Sequence, residues 1–238
     1  MEAVVGTAGW SIGAAADAFG AGESALARYA TRFNGVEINS SFHRPHRPTT
    51  WARWAESVPA GFRFAVKLPK TITHERRLAD CADLVARFLD ETRGLGDKLA
   101  VLLVQLPPKF AFDAGLAETF LADLAARTAA RIACEPRHPS WFDDEAGALL
   151  ARLGVARVAA DPPVTPATAR PGGWPGLAYW RLHGTPLLYR SAYGPERLEA
   201  YAEKLRAELA AGHETWCMFD NTASSAAIGD ALGMLERL

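Results

Sequence analysis

The run Glu135-Pro136-Arg137-His138 places a carboxylate, a guanidinium and an imidazole within four positions, directly after the apolar run Ile132-Ala133-Cys134. A carboxylate three residues from an imidazole is a pairing used for general acid–base work, so Glu135 and His138 are read as catalytic. Pro136 lacks an N–H and marks the end of strand pairing, and Pro139 stiffens the turn that follows. His183 follows Arg181 by two positions, so in a strand both side chains face the same way and His183 joins the catalytic set. A guanidinium suits bidentate capture of a carboxylate or phosphate, which makes Arg137 and Arg181 ligand-binding residues.

The same alternation extends the set to other apolar runs. In "GVEINS", Val36 and Ile38 take the apolar parity, leaving Glu37 and Asn39 on the other side. In "RFAVKLP", Phe64, Val66 and Leu68 oppose Lys67. Gln105 ends "LAVLLVQ" on the parity of Val101 and Leu103, Asp161 ends "VARVAAD", and Asp220-Asn221 ends "TWCMFDN". Glu37, Asn39, Lys67, Gln105, Arg137, Asp161, Arg181 and Asn221 are therefore expected to form a shared ligand pocket at the strand ends. A structural network of paired interior charges fits the same pattern, because a buried charge is rarely left unpaired. Asn221 or Thr222 also suits the cap of a last helix, whose free N–H groups favour an anion.

About eight strand-like runs alternate with amphipathic stretches such as "CADLVARFLDETRGLG" and "DEAGALLARLG". The expected fold is α/β, a (β/α)8 TIM barrel in a single domain spanning 1–238, with an open doubly wound sheet as the competitor. A barrel of this type takes about 250 residues and carries its chemistry at the C-terminal ends of its strands. One unit is irregular. After Asp161 comes "PPVTPATARPGGWPG", rich in Pro and Gly, so the sixth βα unit is expected to lack a clear helix.

The chain has 238 residues, 49% hydrophobic and 22% charged, with a formal net charge of −1. No global basic field draws in nucleic acid or a membrane surface. Cys81, Cys134 and Cys217 are far apart and make neither a disulfide framework nor a zinc knuckle. With no leader-like start and no long apolar run, the expectation is a cytoplasmic protein with no membrane partner.

The ordered motifs "GTAGWS" (Gly6–Ser11), "VEINSSFHRP" (Val36–Pro45), "FAVKLPKTITH" (Phe64–His74), "QLPPKF" (Gln105–Phe110), "EPRHPSW" (Glu135–Trp141), "RLHG" (Arg181–Gly184) and "FDNT" (Phe219–Thr222) resemble the DUF72 family of YecE-like proteins nearly end to end. The resemblance implies a TIM barrel and supplies no reaction. Ala8, His43, Pro136 and Asp220 stand where that family more often has Ser, Tyr, an aromatic residue and Asn.

The leading functional expectation is an enzyme that binds a small anionic molecule, phosphorylated or carboxylated, at the C-terminal face of the barrel. Glu135, with His138 or His183, would move protons. One alternative is a metal-dependent barrel hydrolase, nuclease or sugar isomerase, with a divalent metal held by Glu135, His138, Asp161 and His183. Three nearby cations, Lys67, Arg137 and Arg181, oppose such an ion, and no metal is favoured as cofactor. The other alternative is a non-catalytic binder of nucleic acid or a regulatory ligand.

Overall fold

The β-branched and apolar runs form strands because their alternate side chains find two different apolar surroundings, a ring of helices outside and a filled interior. A computed structural model, describing residues 2–238, shows how. The strands are β1 (Val4–Thr7), β2 (Gly35–Ile38), β3 (Arg63–Lys67), β4 (Leu99–Gln105), β5 (Arg131–Glu135), β6 (Val155–Arg157), β7 (Ala159–Asp161), β8 (Gly172–Gly173), β9 (Leu177–Leu182) and β10 (Glu214–Phe219). The helices are α1 (Ala25–Tyr29), α2 (Ser40–His43), α3 (Pro48–Glu56), α4 (Ala82–Thr92), α5 (Ala114–Arg127), α6 (Asp144–Arg152), α7 (Pro195–Ala210) and α8 (Ala226–Leu235). Their starts follow local chemistry: Asp113 and Asp143 accept from the N–H groups of Leu116 and Ala146, and α3 and α7 begin on a proline.

Parallel pairing runs β2-β3-β4-β5-β6 in one sheet and β1-β10-β9-β7 in the other. The two sheets join at two seams, giving a TIM barrel. At the first, Ala8 bridges to Glu37 and the Gly9 N–H donates to the Glu37 carbonyl at 2.8 Å. At the second, β6 and β7 are one strand that changes partner at Val158, whose N–H donates to the Cys134 carbonyl at 2.8 Å. The upper half, β7, pairs with β9, while the lower half pairs antiparallel with β8. The Pro- and Gly-rich segment after Asp161 thus returns along the strand, and its one helical turn is the short 3-10 turn Pro166–Ala169. No full helix covers the sixth unit, as its composition predicts.

The interior below the mouth is filled by Ala65, Val101, Leu103, Ala133, Ala156, Val158, Leu177, Tyr179, Trp216 and Met218. Tyr179 and Trp216 stack with ring centroids 5.8 Å apart. Alanines on β3, β5 and β6 leave the room that these two large rings occupy, so the barrel is a packed core and not a pore. The opposite parity (Val36, Ile38, Phe64, Val66, Leu102, Val104, Trp180 and Leu182) packs outward with the helix residues. Among the described residues no helix is long and apolar enough to cross a membrane.

The first seam is tight. A Cβ on Gly6 would meet the Gly35 carbonyl oxygen and the Tyr29 hydroxyl at under 3.0 Å, so only glycine lets β1 approach β2. Tyr29 fastens this place, accepting from the Thr7 N–H at 2.8 Å and donating to the Gly35 carbonyl at 3.2 Å. Gly6→Ala is expected to cost about 1–3 kcal/mol through overpacking. Urea denaturation checks this, and an unchanged midpoint would contradict the account of the seam.

Candidate functional site at the barrel mouth

Arg181 on β9 points into the barrel above Tyr179, at 1% exposure. Its Nε and Nη2 donate to Glu37 Oε2 and Oε1 at 2.9 and 2.6 Å, a bidentate pair with a carboxylate from β2. Nη1 donates to Glu135 Oε2 at 2.5 Å, and Nη2 also reaches Asp220 Oδ2 at 2.8 Å. One guanidinium therefore ties carboxylates from β2, β5 and the end of β10. Tyr179 adds a hydroxyl donor to Glu37 Oε2 at 2.9 Å.

His183, fully buried, lies beside this cluster and links two of its carboxylates. Its Nδ1 is 3.1 Å from Asp220 Oδ2 and its Nε2 is 3.0 Å from Glu135 Oε1. Nε2 is also 3.0 Å from Arg137 Nη2, which itself sits 2.6 Å from Glu135 Oε1. Protonated, Nε2 donates to Glu135; unprotonated, it accepts from Arg137. The imidazole keeps a partner in either state.

Burial alone would raise the Glu135 carboxyl, but Arg137, Arg181 and His183 outweigh it and hold it well below the ordinary carboxylate range. Asp220 is held down against the same burial by Arg181 and His183. Burial works against the Arg181 charge too, yet Glu135, Glu37 and Asp220 reverse it and push its pKa well up. Lys67, half-buried, is pulled down to about 8 by burial and by Arg181, although Glu37, Glu135 and Asp220 oppose the shift.

Asn39 Nδ2 reaches Asp220 Oδ1 at 3.4 Å, and the Tyr189 ring meets His183 edge-on at 5.5 Å between centroids. Among the described residues, two buried polar atoms here lack a protein partner, Asn39 Oδ1 and Arg137 Nε.

Of the residues that sequence reasoning selected, the structure brings together Glu37, Asn39, Lys67, Glu135, Arg137, Arg181 and His183. Gln105 shares their inward parity, beside Glu135 in register, but its amide donates to the Leu106 carbonyl at 2.7 Å. His138, Asp161 and Asn221 lie elsewhere. His138 turns to Ser140, whose hydroxyl is 2.8 Å from Nδ1, and caps the 3-10 turn Pro139–Phe142. Asp161 follows Ala160 onto the outer parity, where Tyr193 and Arg197 donate to Oδ2 at 2.5 and 2.8 Å. Asn221 faces outward likewise, its amide donating to Asp230 Oδ2 at 2.6 Å and to the Ser191 carbonyl at 2.9 Å. The four residues of the metal alternative thus do not converge. Among the described residues no three His, Cys, Asp or Glu side chains are arranged to hold an ion, and the Arg181 guanidinium bonds to all three carboxylates of the cluster.

Two members of the cluster were missed as site residues. Tyr179 shares parity with Arg181, and Asp220 shares it with Trp216 and Met218, so counting along the strand marks both. The "EPRHPSW" corner proves to be divided: Glu135 and Arg137 enter the cluster, while Trp141 anchors the turn through an indole N–H to the Phe110 carbonyl at 2.9 Å.

A family model described as a protein of unknown function, DUF72, matches residues 4–238. The UPF0759 protein YecE of Escherichia coli K12 is 37% identical over 89 residues, which cover 37% of this chain and 33% of that protein. The matched stretch thus spans about a third of the curated relative. A DUF72 family protein of Enterococcus faecalis V583 superposes with a TM-score of 0.83 at 21% identity, covering 100% of this chain and 95% of that one. One from Thermotoga maritima MSB8 gives 0.78 at 24% identity, covering 99% and 98%. A xylose isomerase-like TIM barrel fused to 4-hydroxyphenylpyruvate dioxygenase matches at 0.55 and 16% identity, covering 100% of this chain and 42% of that one, a likeness of fold alone.

The depressed carboxylates fix the direction of the acid response. In the unfolded chain Asp and Glu take up protons near pH 4, whereas folded Glu135 and Asp220 resist until lower pH. Their stabilisation is complete above that range and is lost as pH falls through it. The urea midpoint is expected to drop steadily from about pH 5 downward. A midpoint that stays level from pH 5 to pH 3 would contradict the reading.

Proposed function

The chain belongs to the DUF72 family, and from the geometry of its own side chains we propose that its barrel mouth binds a small phosphorylated or carboxylated molecule and acts on it as an enzyme by proton transfer. The observation that carries this reading is the buried Arg137 Nε, a charged donor with no protein acceptor, set beside a histidine that bridges two carboxylates. An unmet buried donor costs about 1–3 kcal/mol, and an anionic oxygen at the mouth would meet it. Lys67 adds a second cation, and the orphaned Asn39 Oδ1 offers an acceptor to a ligand hydroxyl or amine.

The roles divide by electrostatics. Glu135, held ionised by its cations, is a poor proton acceptor near neutrality and serves to orient and charge-balance His183. Proton transfer then falls to His183 Nε2, with Asp220 steadying Nδ1 from behind. Arg181 positions the carboxylates without needing to touch the ligand. Apolar residues would pack a barrel centre at least as stably as these paired charges, so retention of the charges fits a use beyond stability.

Calorimetric titration with inorganic phosphate, phosphorylated sugars and small dicarboxylates tests the proposal. At least one should bind saturably, and Arg137→Ala should weaken it by about tenfold or more, the loss of one charged hydrogen bond. Loss of folding is monitored by circular dichroism. Binding that Arg137→Ala leaves unchanged would sink the reading. Binding of oligonucleotides alone, falling steeply with salt, would favour the nucleic-acid alternative.

A further inference from the structure

Among the described residues, Lys67 is the one cation of the mouth that the cluster does not hold. Arg137 and Arg181 each lie within 2.6 Å of a carboxylate oxygen, whereas the Lys67 ammonium has no hydrogen-bond or ion-pair partner among the described residues. Its Nζ sits instead 4.1 Å from the centroid of the Phe42 ring on α2, and the His74 ring packs edge-on against the other partner of that contact, 4.9 Å from Phe42. The charges acting on it come from several elements: Arg181 on β9, Glu37 on β2, Glu135 on β5 and Asp220 after β10. The backbone is fixed, since the Ser41 hydroxyl donates to the Lys67 carbonyl at 2.7 Å. The result is a half-buried primary amine, placed by a rigid strand in the field of Glu135, the carboxylate that Arg137, with its unmet Nε donor, pairs with at 2.6 Å.

We propose that Lys67 is a nucleophile that condenses with the carbonyl carbon of a small anionic aldehyde or ketone, forming an imine while Arg137 holds the anionic group. This deepens the anion-binding reading of the same mouth and rests on it. The step is balanced without a co-reactant. The Nζ lone pair forms a bond to the carbonyl carbon and the C=O π pair moves to oxygen. Both Nζ protons finish on that oxygen, which leaves as water as the C=N bond forms. Only the neutral amine can attack. With its pKa pulled down to about 8, Lys67 is neutral in roughly a tenth of molecules at pH 7, against fewer than about one in a thousand for an ordinary lysine. The substrate class narrows accordingly to oxo acids and phosphorylated carbonyl compounds.

The test uses glyoxylate, an anionic aldehyde, with sodium cyanoborohydride at pH 7 on the intact protein, followed by peptide mapping of Lys67, Lys70, Lys98, Lys109 and Lys204. Glycolate, the same anion without a carbonyl, is titrated separately. Lys67 should be labelled at least about tenfold faster than the other lysines, and both saturating glycolate and Arg137→Ala should slow it. Labelling of Lys67 no faster than the others overturns the proposal. If glycolate still binds through Arg137 in that case, the anion reading survives without the imine; if it does not, both fall. Rapid labelling that glycolate and Arg137→Ala leave unchanged also overturns it, because the carbonyl compound would then not be held by the mouth.

Discussion

A guanidinium at 1% exposure can stay charged only where carboxylates surround it, and Arg181 is met by Glu37, Glu135 and Asp220. The rest of the mouth follows from that requirement. The three carboxylates come from distant points in the chain, so satisfying Arg181 draws β2, β5, β9 and the end of β10 to one level. His183 then finds an acceptor on each side, and Arg137 joins from the corner after β5. Removing one partner of such a buried pair typically costs about 3–5 kcal/mol, since the other is left uncompensated. The cluster is thus a structural bond across the barrel, and the chemistry proposed for the mouth would use the same atoms.

Beneath it the packing is ordinary barrel packing with one asymmetry. Tyr179 and Trp216 fill the centre where Ala65, Ala133 and Ala156 leave space. Tyr179 also spends its hydroxyl on Glu37, so the apolar layer ends in a donor that meets the polar layer. The partner change at Val158 adds an irregularity. β8 occupies the lower flank of β6 while β7 pairs with β9, and the segment between them carries only a 3-10 turn.

Much of this was legible in the sequence because strand parity is a strict geometric rule. Glu37, Lys67, Glu135, Arg181 and His183 all fall on the side opposite Val36, Phe64, Cys134, Trp180 and Leu182, and the structure keeps that division. The rule was less useful where strands end. Asp161 directly follows Ala160, and Asn221 directly follows Asp220; one step past an inward residue turns the side chain out toward the helices. Counting from Ala156 and Trp216 separates these cases. His138 is a different matter, because the prolines on either side of Arg137-His138 break the strand geometry and parity no longer applies. Which rim atoms lack partners was not legible at all, since Arg137 Nε and Asn39 Oδ1 depend on tertiary packing.

His183 is where the proposed chemistry and the architecture meet, and its ring nitrogens would report directly on both. Nitrogen NMR of protein labelled at its six histidines, titrated with inorganic phosphate, addresses the central claim. A phosphate held by Arg137 must alter the 3.0 Å contact between Arg137 Nη2 and His183 Nε2. The account predicts a saturable shift of the His183 Nε2 resonance, with the His138 and His213 resonances unmoved. A His183 signal that stays fixed at saturating phosphate, or moves no more than those of the other histidines, would contradict it.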